Sequence, residues 1–360
     1  LQLDHTGVRD LAPLVGMRLA VLRLKRTKVE DLSALAGMPL SVLDLSRTKV
    51  RDISPIKGAP LKQLDLKLSQ VADLSPLEGK ALSWLNISYT PVKDLKALKS
   101  MQLVSLMIGE TDIEDFSGLR DMTVRHLYIF NSSLDDLSVL EHMRLRKLHL
   151  YMNPVSDVSP LRGMPIEFLN LSRTKVTDLG PLKGMPIERM NLWETEIRDL
   201  SPLRGMPLSW LNLGRTRVED IAPLRGMPLK TLHLYDTSVS DIDALRGMPL
   251  QELDVRHTSV SDIDALRGMP LQELHLSNTS VHDLSPLADM PLTELSTFAI
   301  DVTDYTVLGD LPLERLFISL DAEGIDFLRH KKTLRKINKK PAKRFWKAYD
   351  KRKASKTPAG

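Results

Sequence analysis

Hydrophobic and polar positions recur along this chain with a fixed period of 21 residues. In one clear copy, Leu208, Leu211 and Leu213 alternate with polar or aromatic residues. Successive side chains of a β-strand face opposite ways, so this spacing predicts a short strand with leucines on its inner face. The aspartate that follows, Asp220, recurs every 21 residues from Asp10 to Asp304. The pattern therefore predicts repeats stacked in a constant register.

A period of this length with apolar residues spaced L-x-x-L-x-L is the signature of a leucine-rich repeat. The predicted fold is an α/β repeat solenoid, with a parallel sheet on the concave side and 3₁₀ or other short turns on the convex side. Ser201 before Pro202 suggests an N-cap for such a turn. Gly205 is expected to have a positive φ where the chain turns back.

When the repeats are aligned, equivalent residues form columns, and two of these columns are interpreted as structural. The residue three places after the last strand leucine is threonine in eleven repeats, from Thr6 to Thr279. We expect this threonine column to hydrogen-bond to the backbone of adjacent coils. A methionine column precedes the strands, and we expect it to fill one gap per coil in the core.

The repeats predict a single domain of about sixteen repeats over residues 1–338, without an N-terminal cap. Because residue 1 falls inside a strand pattern, we expect either a frayed first coil or a further domain upstream. Residues 339–353 predict a C-terminal capping helix with Phe345, Trp346 and Tyr349 turned inward. Residues 354–360 are expected to be disordered.

The unit L-x-x-L-x-L-x-x-T-x-V-x-D-L-S-P-L resembles the short bacterial repeats of internalin type. The segments Ile337-Asn338, Pro341-Ala342 and Phe345-Trp346-Lys347-Ala348-Tyr349-Asp350 are similar to the ends of repeat regions attached to large bacterial serine/threonine protein kinases. No kinase motif is present in the chain itself. The resemblance implies a sensing or scaffolding module.

Composition narrows the functional classes. The chain has no cysteine, which favours a reducing compartment and a cytoplasmic location. No apolar run approaches the ~18 residues that a membrane span needs. The net charge is +4, and the basic row that includes Arg162, Lys183, Arg204 and Arg225 is interpreted as structural or solubilising. Without a basic groove continuous with the aromatic residues, the sequence argues against a nucleic-acid partner.

The outward strand columns differ from coil to coil and hold eleven of the seventeen aromatic residues. Aromatic side chains on one face provide large contact area for little lost entropy, so these columns are the candidate recognition surface. The alternative is that the rings pack on each other and merely cover the sheet. The predicted ligand-binding residues are Trp84, His126, Tyr128, Phe130, His149, Tyr151, Phe168, Asn170, Asn191, Trp193, Trp210 and Tyr235.

These features predict a monomeric, non-enzymatic binding module for a protein or peptide, with no cofactor and no metal. A glycan-binding surface domain is the first alternative, because the same rings could stack on sugars. A metal-dependent enzyme is the second: His233, Asp254 and His275 occupy one outward column on successive strands, about 4.8 Å apart. Such a row also arises by chance from the repeat, and we expect no catalytic metal there.

Overall fold

The computed structural model describes residues 1–99, 101–120 and 122–356. The chain divides into two compact units, Leu1–Val176 and Thr177–Gly360. Each unit is a stack of coils in which strands contact strands and 3₁₀ turns contact 3₁₀ turns. This arrangement confirms the predicted repeat fold with its 21-residue period.

In the first unit, eight parallel strands pair in sequence order, and each residue lies opposite the residue 21 positions away. The strands are β1 (Val21–Arg23), β2 (Val42–Asp44), β3 (Gln63–Asp65), β4 (Trp84–Asn86), β5 (Ser105–Gly109), β6 (His126–Phe130), β7 (Lys147–His149) and β8 (Phe168–Asn170). The 3₁₀ turns are Ala12–Leu14, Ser33–Leu35, Ser54–Ile56, Ser75–Leu77, Lys96–Leu98, Ser117–Leu119, Leu137–Leu140 and Ser159–Leu161.

The second unit repeats the arrangement and ends in a hairpin and a helix. Its strands are β9 (Arg189–Asn191), β10 (Trp210–Asn212), β11 (Thr231–His233), β12 (Glu252–Asp254), β13 (Glu273–His275), β14 (Glu294–Ser296), β15 (Arg315–Phe317), β16 (Lys336–Ile337) and the antiparallel β17 (Lys340–Pro341). Its 3₁₀ turns are Gly180–Leu182, Ser201–Leu203, Ala222–Leu224, Asp243–Leu245, Asp264–Leu266, Ser285–Leu287, Thr306–Gly309 and Asp326–His330.

Helix α1 (Ala342–Lys356) follows the hairpin. It begins and ends three residues later than the predicted span 339–353. Residues 354–356, predicted as disordered, belong to this helix, and residues 357–360 lie outside the described residues. Phe345, Trp346 and Tyr349 are buried as predicted, and the Tyr349 hydroxyl donates to the Ala322 carbonyl at 2.9 Å.

The inward leucines form the core of each unit. Leu211 and Leu213 are 0% exposed, and Met206 and Met227 of the methionine column are 1% and 2% exposed. The methionine column therefore fills the core, as the sequence suggests. The turn glycines such as Gly205 have φ near +71° and confirm the predicted positive φ.

From His5 to Ala299, the residue before each threonine-column position is also left-handed, although none of these residues is glycine. Arg26, Tyr89 and Arg215 have φ of 58°, 60° and 57°. This conformation costs a non-glycine residue about 1 to 2 kcal/mol. The backbone N–H of Arg26 donates to the Ser46 carbonyl of the next coil at 2.8 Å. The left-handed residue thus carries the inter-coil ladder beyond the end of the strand.

Most threonines of the column form hydrogen bonds within their own coil. The prediction that they bond to adjacent coils is therefore wrong for most of the column. The Thr216 hydroxyl donates to the Leu213 carbonyl three residues earlier at 2.6 Å, and the same bond recurs along the column. Asn153, which replaces threonine, is the inter-coil case, since its amide donates to the Ile129 carbonyl at 2.7 Å. The longer amide side chain thus reaches the backbone of the neighbouring coil, and its oxygen accepts from the Ser132 hydroxyl at 2.7 Å.

The aspartate column caps the 3₁₀ turns, a role that the sequence analysis gave to serine. The Asp199 carboxylate accepts from the Ser201 backbone N–H at 2.8 Å and from the Ser201 hydroxyl at 2.7 Å. Both hydrogen bonds lower the pKa of Asp199, and the bond from the backbone N–H contributes more than the bond from the hydroxyl. The pKa values of Asp31 and Asp73 are lowered in the same way. An ionised carboxylate at these positions therefore stabilises the turn.

Two further members of the basic row, Arg246 and Arg267, form ion pairs within their own coils. Arg246 pairs with Asp243 at 3.0 Å and Arg267 with Asp264 at 2.9 Å. Both acids begin the 3₁₀ turn of their own coil and do not belong to the aspartate column. A structural role for these two arginines follows from the pairing.

The burial pattern predicts unequal costs of core truncation. Leu211→Ala should lower the free energy of unfolding by about 2 to 5 kcal/mol, because it leaves a cavity among fully buried leucines. Leu3 is only half-buried, so Leu3→Ala should cost much less. Denaturant titration followed by circular dichroism measures both values, and equal losses would contradict the burial difference.

The aspartate caps predict a loss of stability in acid. Their pKa is lower in the folded protein than the value of about 3.9 in an unfolded chain. Their contribution is therefore complete above that value and is lost as the pH falls through the lower, folded pKa. The triple variant Asp31→Asn, Asp73→Asn, Asp199→Asn should show a shallower fall of unfolding free energy below about pH 4. Parallel curves for variant and parent would exclude this role.

Candidate functional site

The structure places the predicted ligand-binding residues on the outward face of the strands, in both units. The first unit holds Trp84, His126, Tyr128, Phe130, His149, Tyr151, Phe168 and Asn170. The second unit holds Asn191, Trp193, Trp210 and Tyr235. All twelve are partly buried. They are therefore neither core residues nor freely solvated.

In the first unit, three rings form a stack across successive strands. Tyr128 and His149 have ring centroids 4.5 Å apart with planes 27° apart, and His149 and Phe168 have values of 4.6 Å and 19°. A stack that runs from strand to strand turns its ring faces toward the neighbouring strands. Ring edges and the Tyr128 hydroxyl are then left for a partner to contact.

A second ring contact lies beside this stack. Phe130 lies directly over Gly109 on the neighbouring strand, where any Cβ atom would collide with the ring. Tyr89 tilts against Phe130 with centroids 5.9 Å apart, and Tyr89 is 39% exposed. We name Tyr128, Phe130, His149, Tyr151 and Phe168 the first-unit ring surface. Glycine at position 109 is thus a packing requirement of this surface.

Burial changes the electrostatics of the first-unit ring surface. Desolvation, and secondly the charge of Lys147, lower the pKa of His149 to about 4. Desolvation also lowers the pKa of His126 and raises that of Tyr128. At neutral pH the stack is therefore uncharged, and it suits apolar and hydrogen-bonding contacts better than ionic ones.

The predicted asparagines have a structural role that the sequence analysis missed. The Asn170 side-chain oxygen accepts from the Ser172 backbone N–H at 3.0 Å, and that of Asn191 accepts from the Trp193 N–H at 3.0 Å. Asp44 and Asp254 accept in the same way from the residue two places later. Aspartate or asparagine recurs in this column, and the recurrence itself signals a cap at the end of the strand.

In the second unit, arginines lie against the outward rings. The guanidinium of Arg189 is 5.4 Å from the Trp210 ring centroid, that of Arg215 is 5.9 Å from Trp193, and that of Arg256 is 5.9 Å from Tyr235. These contacts are cation–π interactions. The aromatic face of this unit is therefore a mixed cationic and aromatic surface.

His233 joins these rings. It meets the Trp210 ring edge-on at 5.8 Å and lies 6.3 Å from Tyr235, which covers Gly214 as Phe130 covers Gly109. Its Nε2 atom is 2.9 Å from the Glu252 carboxylate. We name Trp193, Trp210, His233 and Tyr235 the second-unit ring surface.

The row of His233, Asp254 and His275 does not converge on one point. His233 contacts Glu252, and Asp254, which is 3% exposed, is held by Arg256 through contacts of 2.8 Å and 2.5 Å. His233 and Asp254 are therefore oriented by residues outside the row, which strand spacing alone did not predict.

A different cluster of histidine and carboxylate side chains does bring its possible metal-ligand atoms together. Glu273, His275 and Glu294 offer ligand atoms within 4.8 Å of one another. Arg315 already lies between the two carboxylates: it is 3.0 Å from Glu273 and also contacts Glu294. The guanidinium supplies the positive charge that a metal ion would bring, so this cluster reads as a structural ion-pair network.

The His149 stack predicts an unusual titration. An imidazole whose folded pKa is about 4 stays neutral in the folded protein through mildly acidic pH. NMR titration of the His149 ring should give a midpoint near that value. Phe168→Ala removes one covering ring and should raise the midpoint toward the ordinary value of about 6.5.

Stability should change with the same titration. In the unfolded chain His149 binds a proton below about pH 6.5, whereas in the folded protein it stays neutral down to about pH 4. His149 therefore lowers the free energy of unfolding as the pH falls from about 6.5 to about 4. Lys147→Gln is the matched control for the charge contribution, and it should move the midpoint less than Phe168→Ala does. A midpoint near 6.5 in the parent protein would contradict the stacked, desolvated imidazole.

Comparison with known proteins agrees with this architecture. No protein-family model and no curated protein sequence matches the chain. Among solved structures, the chain is similar to an internalin, InlF, of Listeria monocytogenes, with 25% identity, 81% of this chain and 84% of that chain covered, and a TM-score of 0.69.

Two other solved structures are more distant. The functional domain of InlJ from Listeria monocytogenes, which includes a cysteine ladder, has 17% identity and a TM-score of 0.59, with 84% of this chain and 69% of that chain covered. The leucine-rich-repeat ectodomain of the Arabidopsis thaliana membrane receptor kinase GASSHO1/SCHENGEN3, solved with CASPARIAN STRIP INTEGRITY FACTOR 2, has 16% identity and a TM-score of 0.61, with 87% and 48% covered. Among the described residues, no helix is long and apolar enough to cross a bilayer. The chain is thus a leucine-rich-repeat protein with the solenoid fold of the bacterial internalins.

Proposed function

We propose that this chain is a non-catalytic binding module for a protein or peptide and that the first-unit ring surface makes the contact. The observation that carries the proposal is the stack of Tyr128, His149 and Phe168, which remains partly exposed although no core function requires it. The leucines on the inner face of the same strands, such as Leu127 and Leu148, already supply the core at 0% exposure.

The chemistry of the surface favours a polypeptide over a glycan. Sugars bind aromatic residues by lying on a ring face, and both faces of His149 are covered by its neighbours. Ring edges and a tyrosine hydroxyl are typical of protein and peptide recognition, where aromatic anchors contribute most of the binding energy. One of the similar solved structures, the Arabidopsis receptor ectodomain, was also solved with a bound partner.

The second-unit ring surface is proposed as a further contact with different chemistry. Its arginines already lie against the rings, and Glu252 contacts His233. A partner there would meet cationic and aromatic groups together, which suits a peptide with acidic and aromatic side chains. The first-unit ring surface, which is uncharged apart from its border, should select apolar side chains.

The proposal predicts that binding and folding respond differently to ring removal. Tyr128→Ala and Tyr151→Ala should each weaken partner binding by about 1 to 3 kcal/mol. The melting temperature should change little, because no core cavity opens. Phe298→Ala is the matched control, since it removes an outward ring that is 50% exposed and belongs to neither ring surface.

The partner is sought with a displayed peptide library and a glycan array, both screened with the whole chain. Calorimetry of the best peptide against the parent and the three variants then gives the binding energies. A ligand that binds all variants equally would exclude the first-unit ring surface as the site. If the chain binds only to the glycan array, and Tyr128→Ala abolishes that binding, the glycan alternative would replace the peptide proposal.

A further inference from the structure

Positive charge is concentrated at the C-terminal end of the described chain. Residues 329–356 contain fourteen lysines and arginines and a single acid, Asp350, and therefore carry +13. The whole chain carries +4, so residues 1–328 carry −9. The sequence argument against a nucleic-acid partner considered only the basic row and the aromatic columns of the repeats. It does not cover this segment, because these residues follow the last regular repeat.

Two groups stand out among these cations. Outside both groups, the Lys331 ammonium donates to the Gly309 carbonyl at 2.7 Å, and Arg335 pairs with Glu314 at 3.7 Å. Arg329 pairs with Asp326 and Asp350, Arg352 pairs with Asp321, and Lys353 pairs with Asp326. These three residues fasten helix α1 to the preceding coil. Their charges are already neutralised within the protein.

The second group has no such partners. Within the described part of the chain, its members are exposed and make no ion pair or hydrogen bond through their side chains. They are Lys332, Lys336, Lys339, Lys340, Lys343, Arg344, Lys347 and Lys351. Like charges four residues apart on a helix, as at Lys343, Lys347 and Lys351, destabilise it when nothing screens them. An anionic partner would relieve that repulsion.

On α1 these cations form one stripe. With 3.6 residues per turn, Lys343, Arg344, Lys347 and Lys351 fall within an arc of about 100° and over a length of about 12 Å. The arc lies opposite the side formed by Phe345, Trp346 and Tyr349, which are 4%, 8% and 4% exposed. The next lysines toward the N-terminus, Lys339 and Lys340, lie on the β16–β17 hairpin that leads into the helix. We name the four helix residues the α1 basic stripe.

We propose that the α1 basic stripe binds the phosphate backbone of double-stranded DNA without sequence preference. A duplex carries about one negative charge per 1.7 Å of its axis, so the stripe spans about seven phosphates. The major groove of B-DNA is wide enough to admit an α-helix. Lysine, which predominates here, acts as a point charge toward phosphate and does not read bases as bidentate arginine does.

The same face fits other polyanions less well. A basic amphipathic helix holds a membrane surface by inserting its apolar side, and here that side is packed against the protein. A protein groove that takes up a helix also needs apolar anchors. The major groove of duplex RNA is deep and narrow, and side chains cannot read into it. Charge density and shape together favour duplex DNA.

Fluorescence anisotropy with a labelled DNA duplex of mixed sequence tests the proposal on the whole chain. Four phosphate contacts predict that affinity falls about 150-fold between about 50 mM and about 200 mM salt. The variant Lys343→Gln, Arg344→Gln, Lys347→Gln, Lys351→Gln should lose most of the affinity and nearly all of this salt dependence. Because the four side chains are exposed and repel one another, the melting temperature of this variant should not fall below that of the parent.

A charge-matched control separates location from net charge. The variant Arg162→Gln, Lys183→Gln, Arg204→Gln, Arg225→Gln removes the same charge from the exposed basic row and should keep the affinity within about threefold. Equal loss in both variants, or no binding of DNA, would overturn the proposal. Stronger binding of duplex RNA, or of vesicles of phosphatidylcholine and phosphatidylserine at a ratio of about 7 to 3, would also overturn it. A peptide ligand of the ring surfaces is tested separately, so either proposal can fail alone.

Discussion

Backbone pairing between successive coils is the constraint on which the structure depends. Most strands contain only three residues, and a strand of that length has no stability of its own. Its N–H and C=O groups find partners only in the coils on either side, and the left-handed residue after the strand extends the same ladder. Each coil can therefore vary its outward side chains while its backbone keeps one geometry. The conformational cost at the left-handed position recurs in the coils from His5 to Ala299 because this pairing requires it.

The ring contacts are a consequence of that ladder. Parallel strands lie about 4.8 Å apart, and the stacked rings of Tyr128, His149 and Phe168 have centroids 4.5 and 4.6 Å apart. Aromatic residues on neighbouring strands are thus brought to stacking distance by the backbone. The same closeness desolvates His149 and keeps it neutral. The rings therefore pack on each other, as the alternative interpretation of the sequence expected, and they still remain partly exposed.

The repeat made the fold predictable, whereas side-chain pairing had to be observed. Leu211 in the core and Gly205 in the turn follow from spacing and from backbone chemistry. The sequence could not show that Asp199 caps the turn in place of serine, because either residue type can cap. It could not show that Asp254 faces Arg256 and is thereby removed from the row of His233 and His275. These choices depend on rotamers and on local charge, which a one-dimensional pattern does not contain.

The constant period also bears on how such a surface can arise. Thr237–Leu253 and Thr258–Leu274 are identical over 17 residues, whereas the outward residues that follow differ: Asp254, Arg256 and His257 in one copy, and His275, Ser277 and Asn278 in the other. A duplication of one whole repeat inserts a coil without disturbing its neighbours, since every coil offers the same backbone edge. The new copy is foldable at once, and its outward positions are free to diverge. A gene built this way can lengthen or reshape its binding face in single steps, without passing through unfolded intermediates.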